Sequence, residues 1–365
     1  MNNDQYQAYY STPPPPPPEK PKKRRKKRLG LFFLLVLVVF GAIGAYIGYK
    51  IWGPNTGNMP NGQYLYIPTG ASYQYVLDEL EQGEYVYDIQ SFDLLAHEAN
   101  YPDLVKSGRY KIPHGMSNYD LIRLLRSGQQ EPVKLVLNKL RTKQDLIKAI
   151  TSTLEPDSAQ IAGLLNSSSY LQKHGVDTNS VMAIIIPDTY EFYWNTSADG
   201  VLSRLASYYD KFWNDERKQK AFSKHLTPVQ VMILASIVEE ETNKNDEKPN
   251  VASVYLNRLR YHMKLQADPT VKFAMQDFGL KRILNIHLET DSRYNTYMYE
   301  GLPPGPIATP SKSSILAVLN APETDYIYFC AKEDLSGYHN FASNYTQHMK
   351  NARAYQRALN ERGIR

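Results

Sequence analysis

The sequence predicts an α+β protein that follows a single N-terminal transmembrane helix. Three observations predict this class: an uncharged apolar run over residues 29–49, strand and helix patterns that alternate over residues 63–129, and helical patterns that dominate from about residue 200. The chain has 365 residues, a length typical of two or three domains. Hydrophobic residues make up 42% and charged residues 22%, which excludes wholesale disorder.

Residues 1–28 are predicted to form a disordered, proline-rich and basic tail. The consecutive prolines Pro13–Pro18 favour extended conformations, and a plain disordered tail is favoured over a ligand for an SH3-type domain. The tail carries eight lysines and arginines against Asp4 and Glu19, hence +6, whereas the whole chain carries +5. The remainder therefore sums to −1, which argues against nucleic acid as a partner because phosphate binding needs a concentrated positive face.

Residues 29–52 are predicted to be an uncleaved transmembrane signal anchor. The 21 uncharged residues from Leu29 to Tyr49 span about 30 Å as a helix, the thickness of a hydrocarbon core. A cleaved signal peptide is less consistent, because the run exceeds the usual length and lacks a small-residue cleavage site. The positive-inside rule places the tail in the cytoplasm and everything after the anchor outside it. A lone Cys330 fits an oxidising compartment.

The exported part begins with a predicted linker, residues 53–62, and a small α+β module, residues 63–129. The module reads as strand, helix, helix, strand and helix, and the predicted spans are 64–68, 72–80, 91–99, 107–113 and 117–125. We expect Ser72 to cap the first of these helices and Gly128 to end the last one.

Residues 130–199 are predicted to be a connecting α+β subdomain, and residues 200–365 a mostly helical α+β domain. The subdomain opens with a strand pattern at 134–137, and the later patterns are helices at 201–213, 227–242 and 250–263, a strand at 326–331 and a helix from about 343. Residues 279–311 show little periodicity, which is typical of a functional or disordered loop.

The helix predicted over residues 227–242 places a carboxylate among apolar residues. At 100° per residue, with Val231 at zero, the apolar side chains cover an arc from about 200° to 360°. Glu239 and Glu240 fall off this arc or at its edge, whereas Glu241 falls in its middle, near about 280°. A buried carboxylate is costly unless it is paired or protonated, and burial raises its pKa toward the range that a general acid needs. On the pattern alone, the favoured alternative is that the helix ends before residue 241 and leaves three solvated glutamates.

The other candidate residues have simpler interpretations. Asp268 precedes a proline and is a candidate cap for the next helix, and Asp188 has a similar turn or cap interpretation. The eight histidines show no metal-binding spacing, and the chain has no nucleophile elbow and no glycine-rich phosphate loop, so we expect neither a metal nor a cofactor. Cys330 lies in an apolar strand pattern and is expected to be a buried, inert thiol.

At these residues the sequence resembles the MltG/YceG-like endolytic lytic transglycosylases of bacteria. The resemblance runs from about residue 64 to 352, and the family also begins with one membrane anchor. Its strongest runs, in order, are 234–242 (LASIVEEET), 251–259 (VASVYLNRL), 263–271 (MKLQADPTV), 294–297 (YNTY) and 301–308 (GLPPGPIA), and weaker ones are 107–110 and 187–190.

The resemblance implies which residues act on the substrate. The catalytic glutamate would be the one before the threonine, here Glu241, in a catalytic domain over residues 200–365. The residues expected to line the sugar cleft are Gln266, Asp268, Tyr294, Asn295, Thr296 and Tyr297. The family has a small hydroxyl residue where this chain has Ala267, so a hydrogen bond is expected to be missing there. The resemblance also implies that residues 63–129 are a LysM-like module that binds N-acetylated glycans.

The activity implied is non-hydrolytic cleavage of the β-1,4 bond between N-acetylmuramic acid and N-acetylglucosamine, leaving 1,6-anhydromuramyl ends. The expected partners are peptidoglycan glycan strands, the bacterial cytoplasmic membrane and peptidoglycan synthases, with nascent strands cut so that their elongation ends. Two alternatives remain open. One is a lysozyme-like hydrolase that uses Glu241 with Asp268, and the other is a non-catalytic, anchored glycan-binding scaffold.

Overall fold

A computed structural model describes residues 14–18, 24–57, 63–280 and 282–363 of the chain. Within these residues the helices outweigh the strands, and the six short strands form three separate two-stranded antiparallel sheets. The predicted mixture of helix and sheet is therefore confirmed. Most of the predicted tail lies outside the described residues, although its last residues belong to the first helix.

Helix α1 (Arg24–Trp52) contains the predicted anchor. Its segment Leu29–Trp52 is long and apolar enough to cross a membrane. Among the described helices, it is the one that has this length and apolar character by itself, without being joined to a neighbouring helix. Large apolar side chains are exposed along the whole segment, with Leu31 and Phe40 as examples. This surface is typical of a membrane anchor or of a signal sequence, because a helix in a soluble domain buries one apolar face.

The small module follows α1 and has a hydrophobic core of its own. Its elements are β1 (Tyr64–Ile67), α2 (Tyr73–Gln82), α3 (Ile89–Glu98), β2 (Gly108–Lys111) and α4 (Asn118–Ser127). Strands β1 and β2 pair antiparallel, and the core beneath them runs from Leu65 to Leu125. The predicted order of elements is confirmed, whereas a LysM-like identity stays a prediction.

Local sequence signals explain where the helices of the module begin and end. The side chain of Ser72 accepts a hydrogen bond from the backbone N–H of Tyr75, which caps α2. Gly128 adopts a left-handed conformation, φ 74°, directly after α4, as glycine does at helix ends.

The remaining residues, 133–361, form what we call the body. Its elements are β3 (Val133–Leu137), α5 (Lys143–Thr151), α6 (Ser158–Leu165), α7 (Ser168–Gln172), β4 (Asp188–Phe192), α8 (Ala198–Phe212), α9 (Asp215–Ser223), α10 (Pro228–Glu241), α11 (Lys248–Arg260), α12 (Asp268–Met275), α13 (Asn285–Leu288), α14 (Lys312–Leu319), β5 (Tyr328–Ala331), β6 (His339–Ala342) and α15 (Tyr345–Glu361). One core runs from Leu135 to Ala321 and crosses the predicted boundary at residue 200.

Helix α10 is the central helix of the body. Thr227 and Gln230 cap it reciprocally, and Pro228 occupies its first turn. All residues from 231 to 238 are buried, so this stretch of α10 has no solvent face and burial is not confined to the predicted apolar arc. The helix continues through Glu241, so the alternative in which it ends earlier and exposes three glutamates is wrong.

The segment 276–311 has little regular structure, as predicted, but it is tied to the body. The Asn295 side chain is fully buried and donates hydrogen bonds to the carbonyls of Leu288 and Thr290. The N–H of Ile307 donates to the Ser236 hydroxyl of α10, 3.0 Å away. The described part of this segment is therefore bonded within itself and is joined to the middle of the central helix.

Side chains of the described residues join the module to the body. Glu155 accepts hydrogen bonds from the N–H and hydroxyl of Thr69, both at 2.6 Å. The Asn195 amide donates to the Ser107 hydroxyl at 2.8 Å. The rings of Tyr66 and Trp194 meet edge to face, 5.0 Å between centroids. The two cores are thus joined by direct contacts as well as by the chain.

The start of helix α12 allows a test of the hydrogen bond that is expected to be missing at Ala267. Ala267 occupies its N-cap with extended backbone and no side-chain cap. The N–H of Thr270 donates to the carbonyl of Ala267 at 3.1 Å, and we expect the hydroxyl of Ala267→Ser to accept a further bond from the same N–H and to stabilise the body by about 1 kcal/mol. That gain corresponds to a rise of roughly 2–4 °C in Tm for a body of this size, measurable by thermal unfolding in detergent. Ala267→Val, which adds volume without a cap, should lower Tm; an unchanged or lower Tm for the serine variant would refute the expectation.

Candidate active site

Helix α10 ends in three consecutive glutamates, and the first two are paired. Glu239 accepts hydrogen bonds from the hydroxyls of Ser311 and Ser314 and lies 3.1 Å from the ammonium of Lys248, which is buried. Burial opposes its ionisation, but these partners outweigh burial, so the pKa of Glu239 is lowered. Glu239 is thus an ionised structural residue that ties α10 to the N-terminus of α14.

Glu240 points to the opposite side, toward the loop between β3 and α5. Its carboxylate lies 2.8 Å from the Lys139 ammonium and 3.2 Å from the Arg141 guanidinium. Glu240 is therefore also a structural ion-pair residue, and it joins α10 to that loop.

Glu241, unlike Glu239 and Glu240, forms no ion pair with a lysine or arginine among the described residues. Burial raises the pKa of its carboxyl to about 7, although the Tyr255 hydroxyl donates a hydrogen bond to it at 2.7 Å and favours the charged form. The negative charge of Asp268 raises this pKa further, and the positive charge of Arg258 lowers it. The side chain as a whole keeps some exposure. Glu241 is therefore a carboxyl that is close to half-protonated at neutral pH and still reachable from solvent.

Helix α11 supplies two of the residues that face Glu241. Tyr255 is 1% exposed, and its ring packs edge to face on Phe329, 5.8 Å between centroids. Burial and the nearby Glu241 carboxylate raise the pKa of Tyr255 well above its ordinary value, so its phenol is a neutral donor. Residues 255 and 258 are one turn apart on the helix, which brings Arg258 to the same side.

Arg258 is buried, and neutral acceptors hold its guanidinium. It donates to the carbonyls of Ile327 and Leu265, both at 2.7 Å, and to the Gln266 side-chain oxygen at 3.3 Å. Since none of these groups neutralises it, its charge acts on Glu241 nearby.

Asp268 and Tyr297 form the other side of the site. The Tyr297 hydroxyl donates to the Asp268 carboxylate at 2.6 Å, and burial raises the pKa of Tyr297. Asp268 is the first residue of α12 and makes no capping hydrogen bond, so the interpretation of Asp268 as a helix cap is wrong. Gln266 is exposed beside them with a left-handed backbone, φ 53°, a conformation that non-glycine residues adopt at a cost.

Three other residues predicted to line the cleft have different surroundings. Asn295 accepts a hydrogen bond from the N–H of Tyr297 at 3.0 Å, and the Thr296 hydroxyl accepts one from the N–H of Ala267 at 3.0 Å. Both are buried, and these bonds position the backbone of the residues beside them, so their contact with a sugar stays a prediction. Tyr294 packs on Phe273, 4.7 Å between ring centroids, and burial raises its pKa to about 12.

The two remaining candidates are structural. The carboxylate of Asp188 accepts hydrogen bonds from the Lys312 ammonium, at 2.6 Å, and from the Tyr208 hydroxyl. These two partners lower the pKa of Asp188 to about 2, and they join β4 to α8 and α14. Burial raises the pKa of the half-buried Cys330 thiol, which agrees with an inert side chain.

Four residues near Glu241 were not singled out from the sequence: Tyr255, Arg258, Glu247 and His339. The buried Glu247 carboxylate accepts hydrogen bonds from the N–H of His339 at 2.6 Å, from its ring at 2.8 Å and from the Thr242 hydroxyl at 3.2 Å. This contact fixes the residue after Glu241 to β6. Tyr255 and Arg258 were visible as polar residues in the run 251–259, but the sequence does not show what they face.

These groups together can transfer a proton. A carboxyl whose pKa is near the working pH serves as general acid when protonated and as general base when ionised. Tyr255 stabilises the ionised state by its hydrogen bond, and Arg258 stabilises it by charge. Among the described residues, no group of three histidine, cysteine, aspartate or glutamate side chains is arranged to hold a metal ion.

Known proteins are similar to this chain in sequence and in fold. The sequence model of the YceG-like family matches residues 65–354. The endolytic murein transglycosylase of Bacillus subtilis strain 168 is 28% identical over 315 residues, which cover 81% of this chain and 85% of that protein. The endolytic murein transglycosylase of Streptococcus pneumoniae strain D39 is 28% identical over 353 residues, which cover 87% of this chain but 63% of that longer protein.

A solved structure agrees with the sequence matches. The crystal structure of a YceG-like protein from Listeria monocytogenes is similar with a TM-score of 0.52 and 25% sequence identity, and the match covers 79% of this chain and 97% of that one. The resemblance predicted from the sequence motifs is confirmed. Because the family model matches well over half of its residues, the chain belongs to the YceG-like family.

Proposed function

We propose that this chain is a membrane-anchored endolytic lytic transglycosylase of peptidoglycan, with Glu241 as its single acid and base. The observation that carries the proposal is the Glu241 carboxyl, whose pKa burial raises to about 7 beside the Tyr255 hydroxyl. The predicted enzyme class, lytic transglycosylase, is confirmed by the relatives, which are named endolytic murein transglycosylases.

The proposed reaction has two proton transfers. Protonated Glu241 donates its proton to the glycosidic oxygen as the β-1,4 bond between N-acetylmuramic acid and N-acetylglucosamine breaks. The new carboxylate then takes the proton of the muramyl C6 hydroxyl, whose oxygen attacks the anomeric carbon and forms the 1,6-anhydro ring. No water is consumed, and Glu241 ends protonated as it began.

The neighbouring residues support the ionised intermediate state of Glu241. The hydrogen bond from Tyr255 and the charge of Arg258 both favour the carboxylate. Asp268, held by Tyr297, adds a negative charge to the site, which suits the positive charge that develops on the sugar ring as the bond breaks. Gln266 is exposed next to them and is proposed to contact the sugar.

The substrate proposed for this site is the nascent glycan strand near the membrane. Helix α1 is proposed as the anchor in the bacterial cytoplasmic membrane, with the tail in the cytoplasm and the body outside it. The module is proposed to bind N-acetylated glycans, and peptidoglycan synthases are the proposed partners. Cleavage there would end the elongation of a strand.

A lysozyme-like hydrolase is a second candidate, because Asp268 faces Glu241 closely enough for its charge to raise the pKa of Glu241. Hydrolysis by retention or inversion needs a second carboxylate of this kind, whereas the transglycosylase reaction does not. The two candidates differ in their products, which are reducing muramic acid ends for the hydrolase and anhydromuramyl ends for the transglycosylase.

The role of Glu241 can be tested by Glu241→Gln on purified peptidoglycan. We expect anhydromuramyl ends from the native chain and a loss of about 10²–10⁴-fold in rate for the variant, by mass spectrometry of the products. The variant should be at least as stable as the native chain at neutral pH, since it removes a carboxylate whose ionisation burial disfavours. Glu216→Gln, on the exposed face of α9, is the matched control and should cleave normally. Normal anhydro products from the Glu241 variant would contradict the assignment.

The pH dependence of cleavage tests the raised pKa. The free enzyme must hold Glu241 protonated, so kcat/KM should be level at acid pH and fall as pH rises through about 7. Tyr255→Phe removes a hydrogen bond that favours the carboxylate, which should move this fall to higher pH and lower the plateau. Tyr209→Phe changes a buried tyrosine of α8 and should leave unchanged the pH at which kcat/KM falls. An equal profile for native and Tyr255→Phe chains would show that Tyr255 does not act on Glu241.

Asp268→Asn separates the two candidate reactions. Loss of its charge lowers the pKa of Glu241, so the fall of kcat/KM should move to lower pH. A transglycosylase would still release anhydromuramyl ends, whereas a hydrolase that needs Asp268 would lose its reducing ends. Reducing ends from the native chain that vanish in this variant would replace the proposed reaction by hydrolysis.

A further inference from the structure

The C-terminal end of α1 is bonded directly to the small module. The Lys50 ammonium lies 2.6 Å from the Asp88 carboxylate, which also caps α3. The Asn118 side chain at the start of α4 donates to the carbonyl of Lys50 at 2.9 Å. The last turn of the proposed membrane helix therefore meets the N-termini of two module helices.

The chain that leaves α1 then packs into the same module. Asn55 is buried, donates to the Asn118 side chain at 2.7 Å and accepts from the N–H of Asp88 at 2.9 Å. Thr56 is fully buried, and its hydroxyl donates to the carbonyl of Pro113 at 2.7 Å. The first half of the predicted linker thus behaves as part of the module, while residues 58–62 lie outside the described part.

These contacts fix the height of the module above the membrane. The uncharged run ends at Tyr49, and its length matches the hydrocarbon core of a bilayer. Lys50 follows at once, so the atoms that bond to it lie at the edge of that core. The layer next to this edge is the headgroup region, about 5–8 Å on each side of a bilayer 40–45 Å thick overall.

Exposed aromatic side chains surround this junction. Trp52 is 68% exposed, Tyr87 70% and Tyr119 47%. Tyr87 precedes Asp88, and its N–H donates to the carbonyl of Asn55 at 2.8 Å; Tyr119 follows Asn118. Amphipathic aromatic rings are enriched at the height of the headgroups, where one side of the ring is apolar and the other is wet.

We propose that Trp52, Tyr87 and Tyr119 form a membrane-contact face of the module, and that phospholipid headgroups cover this face. The inference rests on the proposed membrane anchoring of α1 and extends it from the helix to the folded module. The module then lies on the bilayer in one orientation, since the contacts of Lys50 and Asn118 leave it no flexible joint at the end of α1.

The test uses spin labels on the full chain in lipid nanodiscs of phosphatidylethanolamine and phosphatidylglycerol. In a Cys330→Ser background, single labels go to Tyr87→Cys and Tyr119→Cys. Phe222→Cys, 81% exposed on α9 of the body, is the aqueous control, and Leu37→Cys, 71% exposed in the middle of α1, is the hydrocarbon control. All four positions are exposed, so the substitutions should not disturb folding.

The measurement is relaxation of each label by a nickel-chelating lipid, which carries the metal at headgroup height, and by oxygen, which concentrates in the hydrocarbon core. We expect the nickel lipid to relax labels 87 and 119 several-fold more strongly than label 222. Labels 87 and 119 that match label 222, with label 37 oxygen-accessible, would overturn the contact face and leave the anchor intact. A label 37 without oxygen enrichment would overturn the anchor itself and the contact face with it.

Discussion

The site depends on keeping one carboxyl out of water at the end of a helix. Burial raises the pKa of Glu241 to about 7, whereas a solvated glutamate would be ionised and unable to donate a proton. Such burial requires that other elements pack around α10, and residues 231–238 are indeed all buried. The irregular segment between α12 and α14 contributes, since the N–H of Ile307 donates a hydrogen bond to the Ser236 hydroxyl of α10. A buried, incompletely paired carboxyl lowers stability, so the rest of the body has to supply the packing that offsets it.

The neighbouring glutamates show how one sequence run gives three different chemistries. Glu239 and Glu240 each have cations beside them, so both are paired and serve the fold. Glu241 receives a neutral phenol instead, which stabilises its charge only in part. Chemical identity is the same in all three cases, and the difference comes from what helix α11, helix α14 and the loop after β3 place beside each side chain.

This dependence on distant partners explains what the sequence could predict. Local signals located the strands of the module, the Ser72 cap, the glycine end of α4 and the long helices, because each rests on residues that are close in the chain. The helical wheel singles out Glu241 because it lies among apolar side chains, although burial in the structure extends all around α10 over residues 231–238. The pattern was informative because it identified a carboxyl that the protein largely shields from water.

Other features depend on partners that the local pattern does not show. Asn295 and Thr296 lie in a motif with half-buried tyrosines, but both of their own side chains are buried. Asn295 bonds to carbonyls five and seven residues earlier, and the Thr296 hydroxyl accepts from the N–H of Ala267, which is 29 residues away. Glu247 is likewise one acid among several until β6 brings His339 to it. The same reasoning applies to the junction after α1, where glycine, proline and asparagine suggest a free linker. Asn55 and Thr56 are instead buried, so the position of the module relative to the end of α1 depends on folded contacts more than on the length of a linker.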